Sequence, residues 1–183
     1  DKAVLVTDRA FGNADTLATS YSILSAADTQ DKFDMIFCGK ESLDGATGQM
    51  GAQLAQRFGT AQVTGALLIK EVNEEAKTAV VERELEDGVE VLEVKLPCLF
   101  TMEKINYPAR IPNLKGKLAA KKAVITTITA DDIPKLDRGR IGDPGSPTKV
   151  PRMFPPVMPE PGIIIDEGSV EASVKKLMQL IKD

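Results

Sequence analysis

Apolar runs of strand length alternate with helix-like segments along the first seventy residues of the chain. The runs AVLVTD (3–8), FDMIFC (33–38) and QVTGALLI (62–69) are short and apolar, which is typical of buried strands. Strands that alternate with helices favour a parallel sheet with right-handed connections. We therefore predict an α/β fold with a doubly wound, Rossmann-like parallel sheet covered by helices.

Two helices are predicted after the first two of these runs. Each has apolar side chains at helical spacing, namely Leu17, Tyr21 and Leu24 in the first and Leu54 and Phe58 in the second. Asn13 or Asp15 is placed to cap the first helix, and Gly59 is placed to end the second. We expect each apolar set to form a buried stripe.

The pattern changes after residue 70. The segment TAVVERELEDGVEVLEVKL (78–96) has two arms of alternating residues around Asp87–Gly88, which indicates an inserted antiparallel hairpin. The run PCLFTM (97–102) predicts a further strand. A loop with two prolines is expected over residues 106–118, and KKAVITTI (121–128) predicts a strand after a short basic turn.

Seven of the eleven prolines lie between residues 144 and 161, a density that a packed helix or strand does not tolerate. We expect an extended arm there, which either wraps a partner subunit or is a free linker. The helix predicted after it has one apolar stripe, formed by Val170, Val174, Leu177 and Ile181. The expected organisation is an α/β domain over 1–143 and an arm with a terminal helix over 144–183.

Histidine is absent from the 183 residues, which removes the commonest general base and metal ligand. A net charge of −4 without a basic block, and only 4% aromatic residues, argue against a nucleic-acid surface. Cys38 and Cys98 lie in apolar runs, so we expect small buried side chains in a reducing compartment. We expect a cytoplasmic protein of a bacterium or archaeon, in preference to the mitochondrial matrix, without a membrane span.

The segment GKESLDGATGQMGAQLAQRFG (39–59) follows the second strand and contains five glycines. It is neither a Walker A loop nor a G-x-G-x-x-G motif, because its central glycines lie three residues apart. A strand followed by glycines and a helix start still offers unpaired N–H groups and room for a phosphate. The alternative is a glycine-rich turn that binds nothing, and Asp44 either caps the helix or holds a ribose hydroxyl.

Three segments, in the same order, resemble the β subunits of electron transfer flavoproteins. FDMIFCGKESLDGATGQMGAQLAQRFG resembles the adenosine-binding segment of that family. VERELEDGVEVLEVKLPCLFTM resembles its hairpin and the strand that follows, and INYPARIPNLKGKLAAKK resembles its partner-docking loop. Together these segments cover most of residues 3–128, so the resemblance favours the phosphate-binding interpretation of the glycine-rich segment.

The resemblance implies which residues hold the cofactor. On this resemblance, main-chain N–H groups from Gly45 to Gln49 bind a nucleotide phosphate. Threonine hydroxyl groups of the preceding helix either donate to the same ligand or belong to ordinary surface threonines. The implied cofactor-binding residues are Gly39, Lys40, Asp44, Gly45, Ala46, Thr47, Gly48, Gln49, Thr16 and Thr19. In the docking loop, residues 103–118, the apolar anchor for a dehydrogenase maps to Leu114, with Ile111 as the alternative. No catalytic residue or metal ligand is implied.

The resemblance also implies an electron-carrier subunit that pairs with an electron transfer flavoprotein α subunit. The β subunit of such a heterodimer holds either AMP or a second FAD. Subfamilies with the second FAD take electrons from NADH, pass one to ferredoxin or flavodoxin, and pass the other towards an acyl-CoA or 2-hydroxy-acid dehydrogenase. DRAFGNADTLATSY and GSPTKV resemble this bifurcating subgroup, so FAD is the expected cofactor and AMP the alternative.

Two departures from the family pattern affect these expectations. Family chains carry a strand–helix–strand portion before the point that corresponds to Asp1, so part of the nucleotide pocket is expected from such a segment. Ala46 stands where an acidic residue is common in the family. Two other hypotheses remain, a non-redox adenine-nucleotide-binding α/β module and a structural subunit whose loop is empty.

Overall fold

The computed structural model describes residues 2–103, 108–159 and 161–182 of the chain. The chain divides into two compact units, Asp1–Lys149 and Val150–Asp183. Among the described residues, no helix is both long enough and apolar enough to cross a membrane.

Seven strands and four α-helices make up the described part of the chain. The strands are β1 (Val4–Val6), β2 (Met35–Gly39), β3 (Ala61–Asn73), β4 (Thr78–Leu85), β5 (Gly88–Lys95), β6 (Cys98–Met102) and β7 (Thr126–Ile128). The helices are α1 (Thr16–Ala27), α2 (Met50–Phe58), α3 (Leu114–Lys122) and α4 (Val170–Leu180). Short 3₁₀ helices span Arg9–Phe11, Ala130–Asp132 and Arg138–Arg140.

Five of the strands form a mixed sheet in the order β2-β6-β3-β4-β5. Strands β2, β6 and β3 are parallel, whereas β3, β4 and β5 form an antiparallel meander. Strands β1 and β7 pair in parallel as a separate two-stranded sheet. The predicted α/β fold with a parallel sheet, covering helices and an inserted hairpin is confirmed.

Strand β6 lies between β2 and β3 in the larger sheet and is buried on both faces. On one face Phe100 packs with Val63 and Val81 in a fully buried cluster. On the other face Leu99 packs against Leu54 of α2. This alternation places α2 directly over the parallel strands, and Leu54 lies in the core as its helical spacing predicted.

Helix α1 buries small side chains instead of the stripe expected from its sequence. Ala18, Ser22 and Ala26 are buried, whereas Leu17 of the predicted stripe is 43% exposed. The Ser22 hydroxyl donates to the Ala18 carbonyl oxygen at 2.9 Å, which satisfies this buried polar group within the helix. The predicted stripe is therefore wrong for Leu17, whereas Tyr21 and Leu24 are half-buried, and the small residues are the ones that are fully buried.

The smaller sheet is also less covered than expected. Val4 and Leu5 of β1 are 39% and 51% exposed, so the prediction of a buried first strand is wrong for these residues. Ile128, the last residue of β7, is buried and packs with Ala26 of α1 and Ile133.

Two local predictions were misplaced. The hairpin turn consists of Glu86 and Asp87, because Leu85 pairs with Gly88 in the register of β4 and β5. The end of the expected loop and the first residues of the strand expected over 121–128 form α3 instead, and the strand is limited to β7. Asn113 caps this helix, since its Oδ1 accepts a hydrogen bond from the Gly116 amide at 2.8 Å.

The second unit consists of an extended segment and helix α4. Residues 150–159 and 161–167 form neither helix nor strand, as the proline density predicted. Ser169 caps α4, with its hydroxyl accepting from the Ala172 amide at 3.3 Å. Val174 and Leu177, two members of the predicted stripe, are about half exposed. The amphipathic C-terminal helix is confirmed.

Asp15 ties chain segments that are distant in sequence. Asp15 caps α1 by accepting from the Ala18 amide and also accepts from the Thr148 amide, both at 3.0 Å. Its own amide donates to the buried Ser146 hydroxyl at 2.8 Å. Burial raises the pKa of Asp15, but the hydrogen bonds from Ala18 and Thr148 outweigh this effect and the pKa is lowered overall.

We expect Gly51→Ala to destabilise the chain. A Cβ at Gly51 would lie 2.2 Å from Cγ2 of buried Thr101, whose hydroxyl accepts from the Gly65 amide at 3.1 Å and so resists rotation. The gain of about 1 kcal/mol in helix propensity is smaller than an overpacking cost of about 1–3 kcal/mol. Urea unfolding should show a lower midpoint. Gly88→Ala, where a Cβ meets nothing within 4 Å, is the control and should change little.

We expect Asp15→Asn to reduce the acid sensitivity of the fold. A carboxyl group whose pKa is lowered on folding stabilises above its unfolded pKa of about 3.9, and this stabilisation is lost as the pH falls through the folded pKa. The variant should lose about 1 kcal/mol at pH 7, because an amide nitrogen cannot accept from Thr148. Its unfolding free energy should then vary less than that of the wild type between about pH 5 and 3. Asp87→Asn, in the hairpin turn, should retain the wild-type acid dependence.

Candidate functional site

A cleft of about 310 Å³ lies where β2 ends and α2 begins. Its walls come from the glycine-rich segment after β2, from the first residues of α2 and from Thr16 at the start of α1. Seven of the residues implied by the family resemblance line it, namely Thr16, Gly39, Lys40, Gly45, Thr47, Gly48 and Gln49. The structure therefore brings together two segments that are about thirty residues apart in sequence.

The loop between β2 and α2 reverses direction through two residues with left-handed backbone angles, Ala46 (φ 46°) and Gly48 (φ 59°). The Ala46 amide donates to the Ser42 carbonyl oxygen at 2.9 Å and closes the first turn. A left-handed alanine is strained, and an aspartate or asparagine would adopt this conformation at lower cost. This strain gives a physical reason for an acidic residue to be common at the equivalent family position.

Two glycines leave open space along the cleft. A Cβ built on Gly39 or on Gly48 meets no other atom within 4 Å, although both residues belong to the lining. The absence of side chains here lets a ligand approach the main chain directly. The cradle is therefore suited to a phosphate group, which is recognised by main-chain N–H groups.

Helix α2 begins without a side-chain cap. Gln49 occupies the cap position but makes no capping hydrogen bond, because its Oε1 accepts from the Thr16 hydroxyl at 3.1 Å. The first N–H groups of α2 are consequently not satisfied by a capping side chain, and they carry partial positive charge. The uncapped end of α2 borders the cleft through Gln49 and Met50.

Thr16 is held from both sides by α2. It donates to Gln49, and its hydroxyl oxygen accepts from the Gln53 side chain at 3.1 Å. The Oε1 atom of Gln53 is buried and has no hydrogen-bond partner among the described residues. Gln53 was missed in the sequence, although its position one turn after Gln49 on a predicted helix places both on one face.

The charged side chains around the cleft largely compensate one another. The Lys40 ammonium lies 2.8 Å from a carboxylate oxygen of Glu103, and Glu41 also lines the cleft. The hydrogen bond to Glu103 raises the pKa of Lys40, so this side chain stays protonated at neutral pH. Anion binding here would depend on main-chain N–H groups more than on net side-chain charge.

Three residues of the implied set, Asp44, Thr19 and the strained Ala46, do not line the cleft. The pKa of Asp44 is lowered by a hydrogen bond from the Ser42 side chain and by the Gly45 amide, so its carboxylate is engaged within the loop. The interpretation of Asp44 as the cap of α2 is wrong, since Gln49 holds that position. Thr19 is half-buried on α1 and does not border the cleft.

The two residues proposed for partner docking are exposed. Ile111 is 84% exposed and Leu114, the first residue of α3, is 74% exposed. Part of the expected docking loop, residues 104–107, lies outside the described residues. Whether these side chains bind a partner remains a prediction.

A larger cleft, of about 460 Å³, lies at another place in the first unit, between the end of α1 and the start of β2. Its lining includes Asp28, Lys32, Phe33 and Pro97, but no glycine and no uncapped helix start. Volume alone would favour this cleft, whereas the recognition chemistry favours the smaller one at the start of α2.

Comparison with known proteins identifies the family. Residues 1–133 match the model described as "Electron transfer flavoprotein domain". The chain is 40% identical over 181 residues to the electron transfer flavoprotein subunit beta of Thermoanaerobacterium thermosaccharolyticum, covering 98% of this chain and 67% of the relative.

Two further relatives have names that refer to CoA reductases. The chain is 37% identical over 183 residues to the caffeyl-CoA reductase-Etf complex subunit CarD of Acetobacterium woodii, covering 100% of this chain and 68% of that protein. It is 36% identical over 190 residues to the acryloyl-CoA reductase electron transfer subunit gamma of Anaerotignum propionicum, covering 98% and 69%. The chain spans about two thirds of the length of these relatives, and it belongs to the electron transfer flavoprotein family, among its β subunits.

Proposed function

We propose that this chain binds the phosphate end of FAD in the cleft at the start of α2 and serves as the β subunit of an electron-bifurcating electron transfer flavoprotein. The observation that carries the proposal is the cradle itself. Two glycines with open space beside them, Gly39 and Gly48, border an uncapped helix start in a chain of this family. A phosphate is the ligand chemistry that such a cradle recognises.

Both main-chain and side-chain groups would bind the ligand. The Gly45 and Ala46 amides already donate to Ser42 within the loop, so the main-chain N–H groups from Thr47 to Gln49 and those of the first turn of α2 would hold the phosphate oxygens. The Thr16 hydroxyl, held by two glutamines of α2, is positioned to donate to the ligand if its bond to Gln49 is exchanged.

Bound FAD would supply the electron-transfer chemistry, and the protein would supply binding, orientation and electrostatics. The chain has no histidine, which is consistent with a subunit whose own side chains do not perform acid–base catalysis. In this role the chain would take electrons that originate from NADH. It would help to divide them between ferredoxin or flavodoxin and a dehydrogenase.

The bifurcating assignment is supported by the relatives and by two segments of the sequence. The relatives from Acetobacterium woodii and Anaerotignum propionicum are named for complexes with CoA reductases. DRAFGNADTLATSY contains Thr16, which borders the cleft, and GSPTKV contains Ser146 and Thr148, which bind to the cap of α1. The first segment therefore supplies part of one wall of the proposed site, and the second holds Asp15, the residue before Thr16.

Two exposed apolar surfaces suit the partners that this function requires. The stripe of α4 that includes Val174 and Leu177, with the proline-rich segment before it, would pack on an electron transfer flavoprotein α subunit. Leu114, or else Ile111, would insert into an acyl-CoA or 2-hydroxy-acid dehydrogenase. Both assignments rest on exposure in the chain by itself and on the family resemblance.

Gly48→Val should remove the cofactor from the protein purified with its α subunit. A valine side chain would fill the space beside the loop and close the approach to its N–H groups. We expect the flavin and adenine content released by denaturation to fall at least about tenfold, the equivalent of 1.4 kcal/mol of binding free energy.

Gly59→Val is the matched control for this experiment. Gly59 has nearly the same backbone conformation, φ 65° against 59°, and also has open space, but it lies at the other end of α2. Its strain should lower stability without lowering cofactor content. Equal cofactor loss in both variants would show that the loop has no special role. If both variants retain the cofactor, the nucleotide does not bind in this cleft.

The identity of the cofactor separates the bifurcating protein from its alternative. Extraction of the complex with its α subunit, followed by chromatography, should yield two FAD per heterodimer. One FAD with one AMP would show a non-bifurcating electron transfer flavoprotein instead. ATP or AMP without any flavin, and without a flavoprotein partner, would favour a non-redox nucleotide-binding module.

A further inference from the structure

Two arginines lie near the ring of one tyrosine where α1 meets the segment that follows β7. The Arg140 guanidinium carbon lies 4.2 Å from the centre of the Tyr21 ring, and that of Arg57 lies 5.5 Å from it. The Tyr21 hydroxyl accepts from the Asp137 amide at 3.2 Å, which attaches the ring to the 3₁₀ helix that carries Arg140.

Arg57 is fixed by α1. Its Nε donates to the Ser20 hydroxyl at 2.8 Å and its Nη2 donates to the Leu17 carbonyl oxygen at 2.9 Å. Burial lowers the pKa of Arg57, and the charge of Arg140 lowers it further. The two guanidinium groups, both of which stay charged, therefore repel each other in the free chain.

The neighbouring carboxylates do not neutralise this pair. No carboxylate oxygen of the described residues lies within 4.0 Å of the guanidinium nitrogens of Arg57 or Arg140. Asp131 is paired with Arg138, and Asp143 lies 3.1 Å from Lys149. Two cations held close without an acid form a site that an anion would stabilise.

A cleft of about 310 Å³ opens beside these arginines. Its walls combine the two guanidinium groups with apolar surface from Leu17, Pro144 and Pro147. It is separate from the cofactor cleft, although Leu17 borders this cleft and the adjacent Thr16 borders the other. Arg57 and Arg140 border this cleft, and Arg9 and Arg138 border a neighbouring one. Four of the seven arginines therefore lie in this region, although the net charge of the chain is −4.

We propose that Arg57 and Arg140 form a second anion site, which binds the phosphate group of a small ligand whose apolar part lies against Leu17 and the two prolines. Arginine presents a planar set of donors that matches two phosphate oxygens, and Arg57 is already oriented by Ser20. This site is distinct from the cofactor cleft and does not depend on the function proposed for that cleft.

The test uses inorganic phosphate and pyrophosphate, titrated into the full chain at constant ionic strength. Saturable binding is followed by ³¹P NMR and by the arginine Nε–Hε signals of ¹⁵N-labelled protein. The Arg57 signal, whose Nε donates to Ser20, should shift as the site fills. Arg140→Gln should raise the apparent Kd about tenfold or more, because one of two charged donors is lost. Arg110→Gln, an exposed arginine elsewhere, should leave it unchanged.

Gly48→Val distinguishes this site from the cofactor cleft. The variant should keep the Arg57 shift and the phosphate affinity, even though its loop no longer admits a nucleotide. Binding that is equally strong in Arg140→Gln, or no saturable binding at all, overturns the proposal. If Arg140→Gln instead weakens association with the α subunit and phosphate does not compete, the arginines pair with a partner's carboxylate and the small-ligand site is rejected.

Discussion

The close approach of α2 to β6 at Gly51 fixes the start of α2, which borders the proposed cofactor cleft. Gly51 lies in the first turn of α2, and a single added methyl group there would overlap Thr101. Thr101 belongs to the most buried strand of the sheet, and its hydroxyl is bound by the Gly65 amide of β3. The start of α2 is thus fixed to a rigid core, and the loop that precedes it is held at the carboxyl end of β2.

A polar seam then attaches α1 to this fixed helix. Gln49, Gln53 and Arg57 follow one another at four-residue intervals along α2, so they lie on one face. They bind Thr16 and Ser20, which are four residues apart on α1. The contacts of this seam are hydrogen bonds of definite geometry, which set the register of the two helices more strictly than apolar packing would. Thr16 reaches the cleft because of this register.

The same polar seam explains how far the fold could be predicted from the sequence. Alternating strands and helices, the hairpin, the caps at Asp15 and Gly59 and the terminal helix follow from local patterns, and the structure has them. The buried face of α1 does not follow, because it is made of alanines and serines whose hydroxyls bind within the helix. Apolar periodicity cannot detect such a face. Helix α3 was missed although Asn113 and the lysine- and alanine-rich residues after it are good helix signals.

The candidate site could be predicted in outline but not in its details. Glycines between a strand and a helix indicate an anion cradle, and the family resemblance added Thr16 from a distant segment. The roles of Gln53 and Asp44 required coordinates, since one depends on a hydrogen bond between helices and the other on a turn within the loop. The pairing of Arg57 with Arg140 joins residues 83 positions apart around Tyr21. Nothing local in the sequence marks such a pair.

The two proposed anion sites lie at opposite ends of α2 and would use the same electrostatic principle. At its first turn the unpaired N–H groups carry partial positive charge, and an anion there is favourable without any charged side chain. In its last turn the carbonyl groups carry partial negative charge, which favours a cation such as Arg57. The Arg57 side chain is long and turns back towards α1. Its positive charge therefore lies beside the contact between α1 and α2 instead of at the helix end. One helix can therefore present two separate anion sites, one formed by its main chain and one by its side chain.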